Sequence, residues 1–323
     1  MIISRTPLRM SFVGGGSDME SYYSNTPGAV VSTAINKYIY IMVSKQFDGR
    51  IIIQYSDIEI VTNVSDIKNN LIREALKMTG IKGGIHITSI SDVPAEGTGM
   101  GSSSSYIVGL LHALYAYQGK YINAEKLAKK ACKIEIDILK KPIGKQDQYI
   151  AAYGGLQFIT FNTNKTIFID PIISGIKTRL EKNLLLFYTG ITRSADAILV
   201  KQKKNMNSQK KRTLMTEMVE LAKAMRKALN KNNLDSFGEM LHQNWLLKRQ
   251  ITKGVTNKQI DNWYETALKN GAIGGKLLGA GGGGFLLFYA QKKKHKKIIA
   301  ALPDLIYQDF SFESQGSKII FVD

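Results

Sequence analysis

Pro94-Ala-Glu-Gly-Thr-Gly-Met-Gly-Ser-Ser-Ser-Ser105 decides how the rest of the chain is read. Gly97, Gly99 and Gly101 stand at alternate positions and run into four serines. Upstream, Gly84-Ile-His-Ile-Thr-Ser-Ile90 alternates as a strand does; downstream, Ile107, Leu110, Leu111 and Leu114 fall at helical spacing. Strand, glycine loop and helix N-terminus in that order make a phosphate cradle. Glycine lets backbone N–H groups close on a bulky anion, and the first helical turn adds unpaired donors and the positive end of the dipole. The candidate nucleotide contacts are Gly97, Thr98, Gly99, Met100, Gly101, Ser102, Ser103 and Ser104, whose hydroxyls can reach phosphate oxygens or a magnesium ion. A flexible Gly/Ser linker is the plain alternative, but strand and helix flank the loop directly.

Around that loop, 323 residues with 44% hydrophobic content suit a soluble chain of two domains with an ample core. The net charge of +18 sits largely in Lys201–Arg212 and Lys292–Lys297. Neither run carries interleaved aromatics or a nucleic-acid module, so solvated helix ends are expected and no nucleic-acid partner. Such a surface favours encounter with small anions. The single cysteine, Cys132, excludes an internal disulfide and reads as a buried helical thiol, while four scattered histidines exclude a zinc site. No apolar run approaches a membrane span and Met1–Pro7 is no signal peptide, so no membrane partner and a cytoplasmic location are expected.

Leu8–Val13 reads as a strand ending at Gly14-Gly-Gly-Ser-Asp18, a glycine triplet that would admit a ligand to the backbone. Ser17 or Asp18 could cap the helix that follows, or Asp18 could accept hydrogen bonds from a polyol; this stretch alone leaves both open. Strands are predicted at Tyr38–Ser44 and Arg50–Tyr55 with a hairpin turn at Phe47-Asp-Gly49, and a helix over Ser65–Thr79. A further helix, Ala124–Lys140, buries Leu127, Ala128, Ala131, Ile134, Ile138 and Leu139. Glu135 shares that apolar face, where a carboxylate is expensive unless paired or bound to a metal. Gly144–Gln148, after Pro142, reads as a turn when taken by itself.

In the second half, Leu184–Tyr188 is a strand, and Arg193 in the segment after it is a candidate for phosphate or carboxylate. Leu214, Met218, Leu221, Met225 and Leu229 form one helical stripe, and Leu234, Phe237, Leu241 and Trp245 another. Lys276–Phe285 contains Gly279, Gly281 and Gly284 in the spacing G-x-G-x-x-G, but a strand, Phe285–Tyr289, follows where a dinucleotide fold needs a helix. The loop is better suited to close backbone packing.

Three separated stretches, Pro7–Asp18, Pro94–Ser105 and Lys276–Phe285, together resemble the three glycine motifs of the GHMP kinases, in order and over nearly the whole chain. The resemblance implies an α+β fold in two domains: residues 1–170 as an S5-like domain carrying the phosphate loop, residues 171–323 as a ferredoxin-like domain, and the site between them. It implies ATP and Mg²⁺ as cofactors, with Ser103 and Glu135 on the metal. Asp147 would take the acceptor proton, with Arg9 beside it to balance its charge. Gly15, Gly16, Ser17, Asp18, Gln146, Gly281 and Gly282 would line the sugar, with Lys145 and Arg193 on a substrate phosphate. Arg5–Asp18 with Pro142–Gln148 is similar to the heptose-kinase branch, which implies a heptose 7-phosphate acceptor phosphorylated on its anomeric hydroxyl. Other sugars, or a catalytically inactive sensor on the same fold, are the alternatives. The chain departs from the galactokinase pattern at Gly14-Gly-Gly-Ser, carries Met100 for the usual leucine, and has a loop one residue longer around Glu96.

Overall fold

The computed structural model describes every residue except 95, 96, 174 and 193–195. Twelve strands are present among the described residues: β1 (Ile2–Val13), β2 (Gly28–Lys45), β3 (Ile51–Gln54), β4 (Ile58–Val61), β5 (Ile85–Ser91), β6 (Leu156–Phe161), β7 (Ile167–Pro171), β8 (Leu184–Tyr188), β9 (Gly274–Leu277), β10 (Phe285–Tyr289), β11 (Ile306–Gln308) and β12 (Lys318–Val322). The helices that matter to the site are α1 (Glu20–Tyr23), α2 (Asn70–Thr79), α3 (Ser102–Tyr117), α4 (Ala124–Cys132), α5 (Gln146–Tyr153), α6 (Lys177–Glu181), α7 (Asp196–Asn205), α8 (Gln209–Asn230) and α9 (Phe237–Ile251). They are followed by α10 (Lys258–Lys269) and α11 (His295–Ala301).

Two sheets carry these elements. The first has eight strands, ordered β12-β1-β2-β5-β3-β4, with β6 on β2 and β7 on β6; the second is β11-β8-β10-β9. Helix α3 packs on β1 and β2, and its apolar residues Ile107, Val108, Leu110, Leu111, Ala113 and Leu114 are all buried. Under the second sheet, Leu185, Phe187, Leu286 and Phe288 meet Trp245, Ile260, Trp263 and Ile298. The last strand leaves the second sheet's side of the molecule and pairs antiparallel with β1, Ile2 opposite Val322.

Several local expectations change. The strands on either side of Phe47–Gly49 exist but do not form a hairpin, because β5 lies between them, antiparallel to β2 over Ile39–Lys45 and parallel to β3. The turn residues were legible; a seven-residue competitor arriving from later in the chain was not. The helix expected over 65–79 is a 3₁₀ turn at Val64–Asp66 and then α2, capped by Asn69, whose side chain accepts from the N–H groups of Leu71 and Ile72. Beyond Cys132, α4 widens into a π-helix over Lys133–Ile138. That wider turn shifts the helical phase, so Ile138, expected in the stripe, is 42% exposed. In α8 the buried face is Met215, Met218, Val219, Ala222, Met225 and Leu229, with Leu214 and Leu221 at its margin. Gly144–Gln148 is not simply a turn: Gln146 opens α5, which puts Asp147 and Gln148 in a helical first turn.

Candidate active site

The phosphate loop is built by glycine. Gly97, Gly99 and Gly101 have φ of 69°, 72° and 75°, a region side chains enter only at a cost, and Gly101 is the N-cap of α3. The loop is tied to β1, where the Arg9 N–H donates to Met100 O at 3.1 Å. It also rests on the other half of the chain. A Cβ on Gly279 would overlap the Gly99 backbone, one on Gly99 would overlap Leu278 O, and one on Gly284 would overlap Thr98 O. The two glycine stretches therefore pack backbone on backbone, as the sequence of the second one suggests.

Arg9 binds three acceptors from this position. Its Nε and Nη2 grip Asp147 Oδ1 and Oδ2 at 2.7 and 2.6 Å, and its Nη1 donates to Gly99 O at 2.6 Å. The fork is shielded, with Arg9 5% and Asp147 21% exposed. A bidentate pair of this kind sets the carboxylate plane, which lysine in place of arginine would not.

Glu135 is fully buried on the π-helix, as its apolar face requires, and it is paired throughout. Oε1 accepts from Ser103 Oγ at 2.6 Å, and Oε2 accepts from Ser104 Oγ at 2.7 Å and Gln148 Nε2 at 2.6 Å. Lys141 Nζ lies 2.7 Å from Ser103 Oγ and 3.2 Å from Glu135 Oε1. An ammonium on these two oxygens shows that they can receive positive charge. One hydroxyl and one carboxylate are also the hard oxygen donors Mg²⁺ takes when phosphates and waters complete its shell. The residues present fit that ion. Among the described residues there is no cluster of three His, Cys, Asp or Glu that would hold a metal by itself.

Asp18 does not cap α1, and neither does Ser17; Met19 stands at the N-cap without a side-chain bond. Asp18 is 3% exposed and accepts from Gly16 N at 2.9 Å and Gln146 N at 3.1 Å, with Gln146 Nε2 at 3.4 Å. Burial, with the nearby Asp147 charge second, raises its carboxyl above the ordinary range. Ser17 Oγ closes its own loop onto Gly14 O and Ala29 O. Around Gly15, the Ser11 hydroxyl and Gln146 Oε1 are buried without partners among the described residues. Gly281 and Gly282 lie against Val255, whose carbonyl takes the Gly282 N–H at 2.9 Å. Arg193 and Glu96 lie outside the described residues. Cys132 is buried and free, and burial pushes its thiol up, as a structural thiol requires.

The sequence reading missed Lys141 and Gln148, which hold Glu135, and two buried lysines. Lys276 Nζ donates to Ser11 O at 2.7 Å and Phe12 O at 3.0 Å, joining β9 to the end of β1. Lys248 Nζ donates to Gly279 O, and burial, then the Arg9 charge, lowers it to about 8. A signal for Lys248 was available: it continues the buried α9 face of Leu241 and Trp245 at helical spacing.

Comparison with known proteins agrees with this architecture. A model of the GHMP kinases N terminal domain matches residues 67–155, and a model of the GHMP kinases C terminal domain matches 225–308. The chain is 32% identical to D-glycero-alpha-D-manno-heptose 7-phosphate kinase of Campylobacter jejuni subsp. jejuni serotype O:2, over 98% of each chain. Among solved structures, a D-glycero-D-manno-heptose 1-phosphate kinase from Bacteriodes thetaiotaomicron aligns with a TM-score of 0.84 at 24% identity, covering 100% of both chains. The galactokinase of Lactococcus lactis complexed with galactose aligns with a TM-score of 0.77 at 17% identity over 98% of this chain and 94% of its own. At those identities the two structures speak for the fold. No helix among the described residues is long and apolar enough to cross a membrane.

Proposed function

The chain belongs to the GHMP kinases and is an ATP-dependent phosphotransferase; on that premise we propose that it phosphorylates the anomeric hydroxyl of D-glycero-D-manno-heptose 7-phosphate. The product would be the 1,7-bisphosphate, a precursor suited to nucleotide-activated heptose and surface glycan. The relative in Campylobacter jejuni supports the acceptor class. One geometric observation carries the chemistry: the Arg9–Asp147 fork and the Ser103–Glu135 pair are joined through adjacent residues, Asp147 and Gln148, at the start of α5.

In this reading the loop N–H groups and the α3 N-terminus hold the ATP phosphates. Ser103 Oγ and Glu135 would hold Mg²⁺, which would supply charge neutralisation to the phosphates when bound. Asp147 accepts the proton of the attacking hydroxyl, and Arg9 fixes the direction in which its oxygens point. Gln146 and the Gly15–Asp18 segment orient the sugar, with Ser11 offering a further hydroxyl. Phosphoryl transfer needs positioning and charge balance more than covalent help, and these groups supply both. We place the division between the two domains near residue 170, with the last strand returning to the first sheet.

The test is ADP release with MgATP and D-glycero-D-manno-heptose 7-phosphate, beside the unphosphorylated heptose, galactose, fucose and mevalonate. Turnover confined to the phosphorylated heptose is the expected result. Preference for a neutral sugar would keep the mechanism and discard the acceptor. Nucleotide binding without turnover of any sugar would favour a sensor.

A further inference from the structure

Beside Asp18 lies a recess of about 100 Å³, which has room for a phosphoryl group. Its cationic lining comes from three separate parts of the chain: Lys140 and Lys141 after the π-helix, Lys145 before α5, and Lys203 on α7. Two carboxylates, Asp18 and Glu20, share the lining. They do not cancel the four lysines: Glu20 faces Lys145 and Lys203 but is paired at 2.8 Å with Lys165, which lies outside the lining, so the recess keeps an excess of positive charge. Lys141 is committed to Ser103 and Glu135, which leaves Lys140, Lys145 and Lys203.

Two observations mark the recess as more than a basic surface. Tyr23 lines it at 1% exposure; its buried hydroxyl makes no close hydrogen bond among the described residues, and Lys145, whose Nζ stands 5.2 Å over the ring, is the charged side chain that approaches it. Lys140 adopts φ 55°, a left-handed position at a helix end where glycine or asparagine is the ordinary choice. Helix α7 is held in place nearby, because Gln202 is buried against Gly16, so Lys203 is carried by an anchored element.

We propose that this recess binds the terminal phosphate of the sugar acceptor, with Lys203, Lys145 and Lys140 balancing the dianion and Tyr23 donating its hydroxyl. The proposal rests on the acceptor reading above and names the residues that make the enzyme select a phosphorylated sugar. Asp18 lines the recess and accepts the backbone N–H of Gln146, the residue before Asp147, so a sugar held at Asp18 would present one end to the base and the other to the lysines. Lysine suits this end of the substrate as a mobile point charge, whereas the planar fork of Arg9 suits the fixed carboxylate at the other.

The experiment compares kcat/KM for heptose 7-phosphate with that for unphosphorylated heptose in the wild type, Lys203→Met and Lys203→Arg, with KM for ATP and thermal unfolding measured in parallel. The expected result is at least a tenfold fall in the phosphorylated-to-unphosphorylated ratio for Lys203→Met, carried by KM for the sugar phosphate. Lys203→Arg should stay within about threefold of wild type in that ratio, at constant KM for ATP. An unchanged ratio in a folded variant overturns the proposal, as does a loss appearing in KM for ATP. If the wild type rejects heptose 7-phosphate, the acceptor reading fails by itself, and inhibition by hexose 6-phosphates decides the recess. Inhibition that Lys203→Met relieves would support it, and inhibition indifferent to Lys203 would overturn it.

Discussion

Gln148 donates from Nε2 to Glu135 Oε2 at 2.6 Å, and its chain neighbour Asp147 receives the Arg9 fork. One turn of helix therefore sets both the carboxylate proposed to hold the metal and the carboxylate proposed to take the proton. Replacing Gln148 with leucine keeps the volume and removes the donor, leaving a buried carboxylate one bond short. We expect about a 10-fold to 100-fold weaker apparent Mg²⁺ affinity, the usual loss when such a supporting bond is removed. Titration of initial rate against free Mg²⁺ at saturating ATP checks this, and an unaltered midpoint would remove Gln148 from the metal site.

Asp147→Asn keeps the shape of the side chain but cannot accept a proton in the same way. A fall in kcat of about 10²- to 10⁴-fold is expected, the typical span of a general base, with nucleotide affinity nearly intact. Equilibrium binding of an ATP analogue beside steady-state rates separates the two. Normal turnover in this variant would mean that Asp147 only anchors Arg9.

Gly279→Ala tests the contact between the two glycine stretches. Gly279 has φ 67° and faces the Gly99 backbone, so the methyl group meets a left-handed penalty of roughly 1–2 kcal/mol as well as the opposing chain. The phosphate loop must give way. We expect a several-fold rise in KM for ATP and a lower unfolding temperature, with little change in sugar KM. Unchanged nucleotide affinity would show that the loop keeps its shape independently.

Lys248 gives a pH signature. Burial, with the Arg9 charge second, lowers its ammonium from the ordinary 10.5 to about 8. Between about 8 and 10.5 the unfolded chain therefore holds a proton that the folded chain has released, and unfolding free energy rises with pH across that window. The slope is at most about 1.4 kcal/mol per pH unit for one such group. Lys276, lowered in the same direction by burial, contributes with the same sign. Urea unfolding of wild type and Lys248→Met at several pH values should show a flatter rise in the variant, and parallel curves would refute the assignment.

What could be read from the sequence was what neighbours in the chain decide. Helix α3 runs over Ser102–Tyr117 as its spacing predicts, Leu184–Tyr188 is a strand, and Glu135 is as buried as its apolar neighbours demand. The three glycine motifs announced the family because they are local and their order is visible. What stayed hidden depends on distant partners. No local rule tells that β5 will separate β2 from β3, that Gln148 will reach Glu135, or that Lys276 will end on the carbonyls of Ser11 and Phe12. The π-helix is hidden for a related reason: helix propensity does not separate it from an α-helix, and Glu135 within it is held by Ser103, Ser104 and Gln148 from elsewhere in the chain.

The meeting of Gly99 and Gly279 divides labour along the chain. Nearly every group proposed to touch phosphate or proton comes from the first half, yet the backbone that shapes the cradle is pressed into form by the second. A first half made alone would carry the chemistry without its mould. The same contact restricts drift at both positions together, since neither can gain a side chain while the other keeps its place. The catalytic residues belong to one half; the distances between them belong to both.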